Sequence, residues 1–443
     1  MRSVREGRTG TDDDALVPVA SWSRVLPTRT RLLAYDPHEE APLARVPVPF
    51  VPRGAGRSFS DVAYVSGGTT LTSDQLRRVV AFDPVLGTVE CESGVSLGAL
   101  HTAVAPHGWG LAVHGGTRWA TVGGAIGNDI HGKDHPSRGS FGAHVLGLTL
   151  LAAGGELLEV SPTEHAPLFG ATVGGLGLTG LIVRARLALA RAPSQTVRVR
   201  AEPFSGLTQM RERFAASDDL YQFVSLTAAG GRLRGLHYRA DFVDGTPRRV
   251  REPRTSSLRC LQVAPPALTR GLTRLHHGMH ATLDRRMHVL DVNFWSDRYD
   301  VRRHLLGVRG YHEYQLVLPE EHLEEGLEAF YGAATGPLEP QFGVIKRFAS
   351  QRSPGLLSFP RRGYTFNAQL RDCPETTRFL RAFTDRLIAL GGCVYLAKDS
   401  CASAEQVERM YPELERWRGI ARAVDPAGAI QSDLSRRLRL KPW

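Results

Sequence analysis

The hydrophobic pattern is clearest in the last third of the chain. Tyr311–Leu318 reads as a strand, residues 320–333 as a helix with Leu323, Leu327 and Phe330 on one face, and 341–348 as a strand. Residues 364–370 read as another strand, followed by a helix with Phe379, Leu380, Phe383, Leu387 and Leu390 apolar. Gly391 and Gly392 stop that helix, and 393–397 reads as a strand. The order β-α-β-β-α-β predicts an open sheet covered by helices on one face. Ser403 and Gln406 form a capping box that opens a final helix carrying Val407, Met410, Leu414 and Trp417. Residues 1–190 instead show short β-branched runs between glycine clusters. From about 191 to 300 the chain is arginine-rich and poorly periodic, with a loop-like stretch at 245–257.

Three glycine segments lie in the first half. The first, RGAGRSFSD at 53–61, follows VPVPFV at 46–51, whose alternating prolines allow an edge strand or an extended segment but not a central strand. Its glycines permit positive φ and let backbone N–H groups converge on an anion, although a plain surface turn has the same composition. The second, GGTRWATVGGAIGNDIHGK at 115–133, has six glycines in 19 residues, which suits a backbone laid against a flat ligand. In the third, ATVGGLGLTG at 171–180, Gly175, Gly177 and Gly180 match G-x-G-x-x-G. That motif must follow a strand and open a helix, whereas LIVRARLAL at 181–189 alternates as a strand, so no NAD site is expected.

A length of 443 residues suggests two or three domains, and 42% apolar with 23% charged residues excludes a disordered chain, a coiled coil or a collagen-like repeat. The longest apolar run, 145–153, is far shorter than the roughly 18 residues of a membrane span. Residues 1–14 are polar and mixed in charge, unlike a signal peptide, so a cytoplasmic location is expected. Five scattered cysteines, at 91, 260, 373, 393 and 401, include no C-x-x-C and predict neither a disulfide framework nor a zinc site. The net charge of +10 arises from 55 basic and 45 acidic residues, and spread-out arginine pairs read either as solvated surface or as attraction to a phosphate-bearing substrate or membrane surface. No nucleic-acid-binding motif occurs, and nucleic acid is not an expected partner. Only four of the basic residues are lysine: Lys133, Lys346, Lys398 and Lys441. Against so strong an arginine bias, a retained lysine suggests a need for a compact charge with a movable pKa. Lys441, two residues from the end, is set aside as incidental, and the other three are site candidates.

These segments, in this order, resemble the PCMH-type FAD-binding domain of the vanillyl-alcohol-oxidase superfamily. Within it they resemble the family of decaprenylphosphoryl-β-D-ribose 2′-oxidases, the flavin subunits of a 2′-epimerase. The resemblance rests on GRSFSD at 56–61, GGTRWATVGGAIGNDIHGK at 115–133, GSFGAHV at 139–145 and ATVGGLGLTGLI at 171–182. It continues through EYQLVLP at 313–319, VIKRF at 344–348, LSFP at 357–360, VYLAKDS at 394–400, MYP at 410–412 and VDP at 424–426. DIHGK and YLAKDS are the specific motifs; the glycine segments are shared across the superfamily.

The resemblance implies an α+β fold: a two-subdomain FAD-binding domain over 1–190, a substrate domain over 191–392 with an antiparallel sheet covered by helices, and a C-terminal return, 393–443, to the FAD domain. It implies FAD contacts from Pro52, Arg53, Gly54, Ala55, Gly56, Arg57, Ser58, Phe59, Ser60 and Asp61 of the first segment. Further contacts are implied from Gly116, Thr121, Val122, Gly123, Gly124, Asn128, Asp129, Ile130 and His131 of the second, with Ile182 and Tyr395. Covalent relatives usually place histidine after the first glycine pair; Arg57 stands there, so noncovalent FAD is expected. Lys398 matches a lysine beside the flavin and the reacting alcohol, with His131 as a second catalytic candidate. Lys133, Gln315, Lys346, Phe348 and Asn367 match the substrate cavity, where Lys133 and Lys346 are expected to clamp an anionic group. Three positions depart from the family: Phe59 replaces a common tyrosine, Asn367 stands where mycobacterial members have cysteine, and Asp134-His135-Pro136 follows HGK.

The implied activity is oxidation of a secondary sugar hydroxyl to a ketone, with a pentose that is phosphorylated or lipid-linked as substrate and a short-chain reductase as partner. Membrane contact would be peripheral, through the 245–257 stretch. Alternatives are an alditol or aldonolactone oxidase, a natural-product sugar, nucleoside or aminoglycoside oxidase, and a non-enzymatic basic binding protein.

Overall fold

The computed structural model describes residues 15–39, 43–229, 232–245, 266–299, 310–340, 342–350 and 353–443. Its first sheet contains β1 (Val17–Val19), β2 (Thr28–Ala34), β3 (Phe50–Arg53) and β4 (Thr69–Thr72) in the order β1-β2-β4-β3. Strand β3 lies at the edge, where a strand entered through prolines and containing Pro52 loses no ladder bond. The C-terminal segment closes that edge: the Phe50 N–H donates to the Ala429 carbonyl at 2.8 Å, and the Gln431 N–H to the Phe50 carbonyl at 2.9 Å.

The second sheet contains β5 (Val79–Asp83), β6 (Thr88–Glu92), β7 (Trp109–Leu111), β8 (Val145–Leu151), β9 (Leu157–Val160) and β10 (Leu181–Arg191). Its order is β5-β6-β10-β8-β9, with β7 also paired to β10. The third glycine segment runs directly into β10, the strand expected there.

The third sheet contains β11 (Thr196–Ser205), β12 (Tyr221–Ala229), β13 (Arg232–Phe242), β14 (Asp284–His288), β15 (Tyr311–Leu318), β16 (Phe342–Phe348), β17 (Gly363–Arg371) and β18 (Cys393–Val394). Their order is β14-β11-β13-β12-β16-β17-β15-β18, antiparallel throughout. The stretch read as poorly periodic therefore contains long strands: Val197, Val199 and Ala201 are buried, while Arg198 and Arg200 take the intervening outward positions. Residues 246–257 of the loop-like stretch lie outside the described residues.

The β-α-β-β-α-β order holds, with two corrections. Only Cys393 and Val394 of the expected 393–397 strand pair with β15, because the chain then coils into a 3-10 turn, Leu396–Lys398. The final helix is two helices, Ala404–Met410 and Leu414–Val424, because Pro412 has no N–H to continue the first. Strand β15 is buried on both faces. Tyr314 and Leu316 face the helices Leu323–Ala333 and Pro374–Ala389, where Tyr314 meets Phe330 and Phe383. By the alternation of a strand, Tyr311, Glu313 and Gln315 point the other way.

Lys441 is not incidental. It is 6% exposed, its ammonium donates to the Asp425 carboxylate and, at 3.0 Å, to the Ile430 carbonyl, and so it ties the chain end to the segment that closes β3. Lys441→Met should leave Asp425 buried without its cation and lower the unfolding free energy by about 3–5 kcal/mol, measured by denaturant titration.

Candidate active site

The first two glycine segments press together because Gly54 brings no side chain to the contact. A Cβ at Gly54 would overlap the Thr121 hydroxyl, and Gly56 adopts φ +61, where a side chain is strained. The Thr121 hydroxyl caps the short helix Val122–Gly127 by accepting the Gly124 N–H at 3.2 Å. The Phe59 N–H donates to the Ala397 carbonyl at 3.1 Å, fixing the first segment to the turn that carries Lys398. Between these segments and the third sheet lies a cavity of about 370 Å³, within the range of ligand sites.

The glycine side of the cavity is lined by residues 52–59, Gly116, Thr121, Gly123, Gly124, Asn128, Ile130, His131, Ile182 and Tyr395. The Tyr395 hydroxyl donates to the Asn128 carbonyl at 2.7 Å. Asn128 Oδ1 and Ser93 Oγ are buried at this wall and have no hydrogen-bond partner among the described residues. Unsatisfied polar atoms beside a side-chain-free backbone are what a flat, polar cofactor would complete.

The opposite wall is the pleat of the third sheet: Tyr311, Glu313 and Gln315 from β15, Asn367 and Gln369 from β17, Val344 and Lys346 from β16, and Phe223 from β12. Glu313 collects three donors: Asn367 Nδ2 at 2.7 Å, Gln369 Nε2 at 2.7 Å and Lys398 Nζ at 3.4 Å. Lys398 Nζ also lies 5.2 Å from the centre of the Phe59 ring, so the residue that lacks a tyrosine hydroxyl offers its π face to the cation.

Lys346 has a different environment. The Thr365 hydroxyl donates to the Leu316 carbonyl at 2.8 Å and so accepts from Gln315 Nε2, also at 2.8 Å. The second N–H of Gln315 faces His131 Nε2 at 3.0 Å, making that nitrogen an acceptor. Burial, together with nearby positive charge, holds the His131 pKa well below the usual value and so favours the neutral ring. His131 Nδ1 lies 3.1 Å from Lys346 Nζ, so the imidazole and the amine share one hydrogen bond, and whichever holds the proton donates it to the other. Burial and the neighbouring Lys398 and Lys133 charges depress the Lys346 pKa in the same direction, well below the usual lysine value. Both shifts run toward the neutral forms of the pair. Lys133 donates to the Asn293 carbonyl at 2.9 Å; burial lowers its pKa to about 8, against the Asp134 and Asp297 charges.

Five expected site residues do not reach the cavity. Val122 is turned into the core, and Asp129 is fully buried, its Oδ1 accepting the Gly142 N–H at 2.7 Å. Asp61 forms an ion pair with Arg437 at 2.9 Å, a fold contact to the C-terminal segment, and Ser60 is buried beside it. Phe348 stands behind the wall, packed edge-on against His131 at 4.8 Å. Conversely, Glu313 was missed, although it lies two residues before Gln315 on a strand legible from sequence, and period 2 places both on one face.

Residues 43–161 match a family model described as FAD binding domain. The decaprenylphosphoryl-beta-D-ribose oxidase of Mycolicibacterium smegmatis is 31% identical over 418 residues, 88% of this chain and 89% of that protein. The chain belongs to this oxidase family. Other members of the wider group are also similar. The L-gulonolactone oxidase of Bos taurus is 35% identical over 30% of each chain. The L-gulono-1,4-lactone dehydrogenase of Mycobacterium tuberculosis is 24% identical over 87% of this chain and 89% of that protein. As a member of the family the protein is an FAD-dependent oxidoreductase with a PCMH-type FAD-binding domain, and the glycine wall and its unsatisfied polar atoms fit that cofactor. The described residues include no helix long and apolar enough to cross a membrane.

The protein should purify yellow and release free FAD on denaturation, read by absorbance of the ultrafiltrate. Flavin retained on the denatured polypeptide would contradict noncovalent binding.

Proposed function

We propose that the enzyme oxidises a secondary hydroxyl of a sugar, the 2′-hydroxyl of a polyprenyl-phosphate-linked pentose, to a ketone. In this reading it is the oxidising half of an epimerisation, and a partner reductase returns hydride from the other face. The observation that carries the proposal is the convergence on one cavity of three of the four lysines of an arginine-dominated chain, each with different partners.

Bound FAD supplies the hydride acceptor. The chain handles the remaining proton and charge. Lys398, paired with Glu313, is the cation that offsets negative charge developing in the cavity. Lys346, uncharged and held by His131, accepts the hydroxyl proton as the carbon–hydrogen bond is broken. Asn367 gives its amide to Glu313 and keeps Oδ1 free among the described residues to accept from a second sugar hydroxyl. The phosphate falls to Lys133 alone in the resting site, because Lys346 joins a clamp only after taking up a proton.

A panel of polyprenyl-phosphoryl ribose, free pentoses, aldonolactones, nucleosides and aminoglycosides should bleach the flavin with the lipid-linked pentose alone at micromolar concentration, and mass spectrometry should find a ketone product. Rapid bleaching by an aldonolactone alone would overturn the reading. Lys398→Ala should keep its FAD and lose about 100-fold or more in the rate of substrate-driven bleaching. In the wild type, kcat/KM should fall as pH drops through the depressed Lys346 value, because protonation removes the acceptor. Lys346→Met should be slow at every pH, with that acid limb gone.

A further inference from the structure

Helix Pro266–His280 packs on strands β12 and β13 with its polar side inward. Thr273 is 6% exposed, His277 Nε2 lies 2.9 Å from the Ser225 hydroxyl, and His276 Nε2 lies 3.3 Å from the Tyr238 hydroxyl. Tyr238 in turn stacks on Phe223 at 4.8 Å and meets Trp295 at 5.4 Å, and both of these line the cavity. The helix therefore sits on the cavity side of the third sheet, beside its aromatic wall.

Its outward side carries Leu272, Leu275 and Met279, which are 49%, 59% and 65% exposed. Their i, i+3, i+7 spacing places them in one stripe, the inverse of a helix that hides its apolar side against the fold. Arg274 is exposed next to the stripe and forms no ion pair among the described residues. The sequence from 253 to 283 contains no aspartate or glutamate, and Arg285 and Arg286 are exposed on the adjoining β14.

We propose that this stripe rests on an anionic lipid surface, with the three apolar side chains in the headgroup region and the arginines against the lipid phosphates. The helix itself carries no carboxylate, and the exposed Asp284 of β14 is paired with Arg198 at 2.6 Å; an apolar stripe so bordered by cations has the composition of an interfacial helix. Three side chains are too few for a stable protein interface, which buries about 800 Å² on each partner. Contact at this point would set the aromatic wall of the cavity near the bilayer, where a prenyl-anchored sugar is found; that last consequence rests on the proposed substrate.

The test is co-sedimentation of the full-length, flavin-loaded protein with phosphatidylcholine vesicles, with and without about 30% phosphatidylglycerol. The wild type should partition onto the anionic vesicles at least tenfold more strongly than onto the neutral ones, and should be released by high salt. Leu272→Glu/Leu275→Glu/Met279→Glu should lower that partition about tenfold or more, and Arg274→Glu, at an exposed position, several-fold, with Tm and FAD content unchanged. Failure of the wild type to bind anionic vesicles, or equal binding by the folded triple variant, would overturn the proposal. So would a wild-type dimer that the triple variant converts to monomer without any vesicle binding. If the stripe governs vesicle binding while only soluble sugars are oxidised, the docking surface stands and the lipid-linked substrate falls.

Discussion

Strand β15 has no solvent-facing side, and the arrangement of the site depends on that fact. Tyr314 and Leu316 are held in the core beneath the helices, so Tyr311, Glu313 and Gln315 are held toward the cavity with no freedom of choice. A register slip of one residue would exchange the two sets and place a carboxylate among phenylalanines. The pairing with β17 sets Gln315 against Asn367 and Glu313 against Gln369, which is why one carboxylate can gather two amides and an ammonium. The polar wall is thus kept in place by apolar packing on the reverse of the same strand.

A buried amine is kept charged by an anion and is otherwise pushed toward its neutral form, and the four lysines of this chain stand in four such environments. Lys441 meets Asp425 at the chain end, and Lys398 meets Glu313 in the cavity. Lys346 meets an imidazole and the Lys398 and Lys133 charges, and burial with these outweighs the Asp134 and Glu313 carboxylates to push its pKa well below the usual lysine value. Lys133 lies between these cases, held by a carbonyl and by carboxylates a little farther away. One residue type therefore takes on different electrostatic characters, distinguished only by what stands within a few ångströms.

Much of this was legible in the sequence. Alternation and capping located β15, β16 and β17 and the helices that cover them, and glycine density located the cofactor wall. Scarcity singled out three lysines before any geometry was known. What was lost has physical causes. Arginine at every second position hid β11 from a hydrophobic count, although an alternating pattern was present. Pro412 split a helix whose apolar spacing continues across the break. Asp61, Val122 and Asp129 belong to motif segments, but a segment has an inner and an outer side: Asp61 turns to Arg437 of the C-terminal segment, Asp129 to the Gly142 N–H and Val122 to the core. Lys441 could not be read because its partner, Asp425, becomes a neighbour only through that closure.

None of the four lysines is exposed, and arginine carries the positive charge of the outer surface. Acylating and aldehyde reagents discriminate sharply between these two cations, attacking amines in their neutral form and leaving guanidinium groups alone. On most proteins such reagents decorate the exterior indiscriminately. Here the side-chain amines that small electrophiles can reach line the cavity, and the depressed pKa of Lys346 favours its nucleophilic form. The composition of the surface thus makes ordinary lysine chemistry selective for the interior, so that a covalent inhibitor or reporter could be built on a warhead usually dismissed as nonspecific.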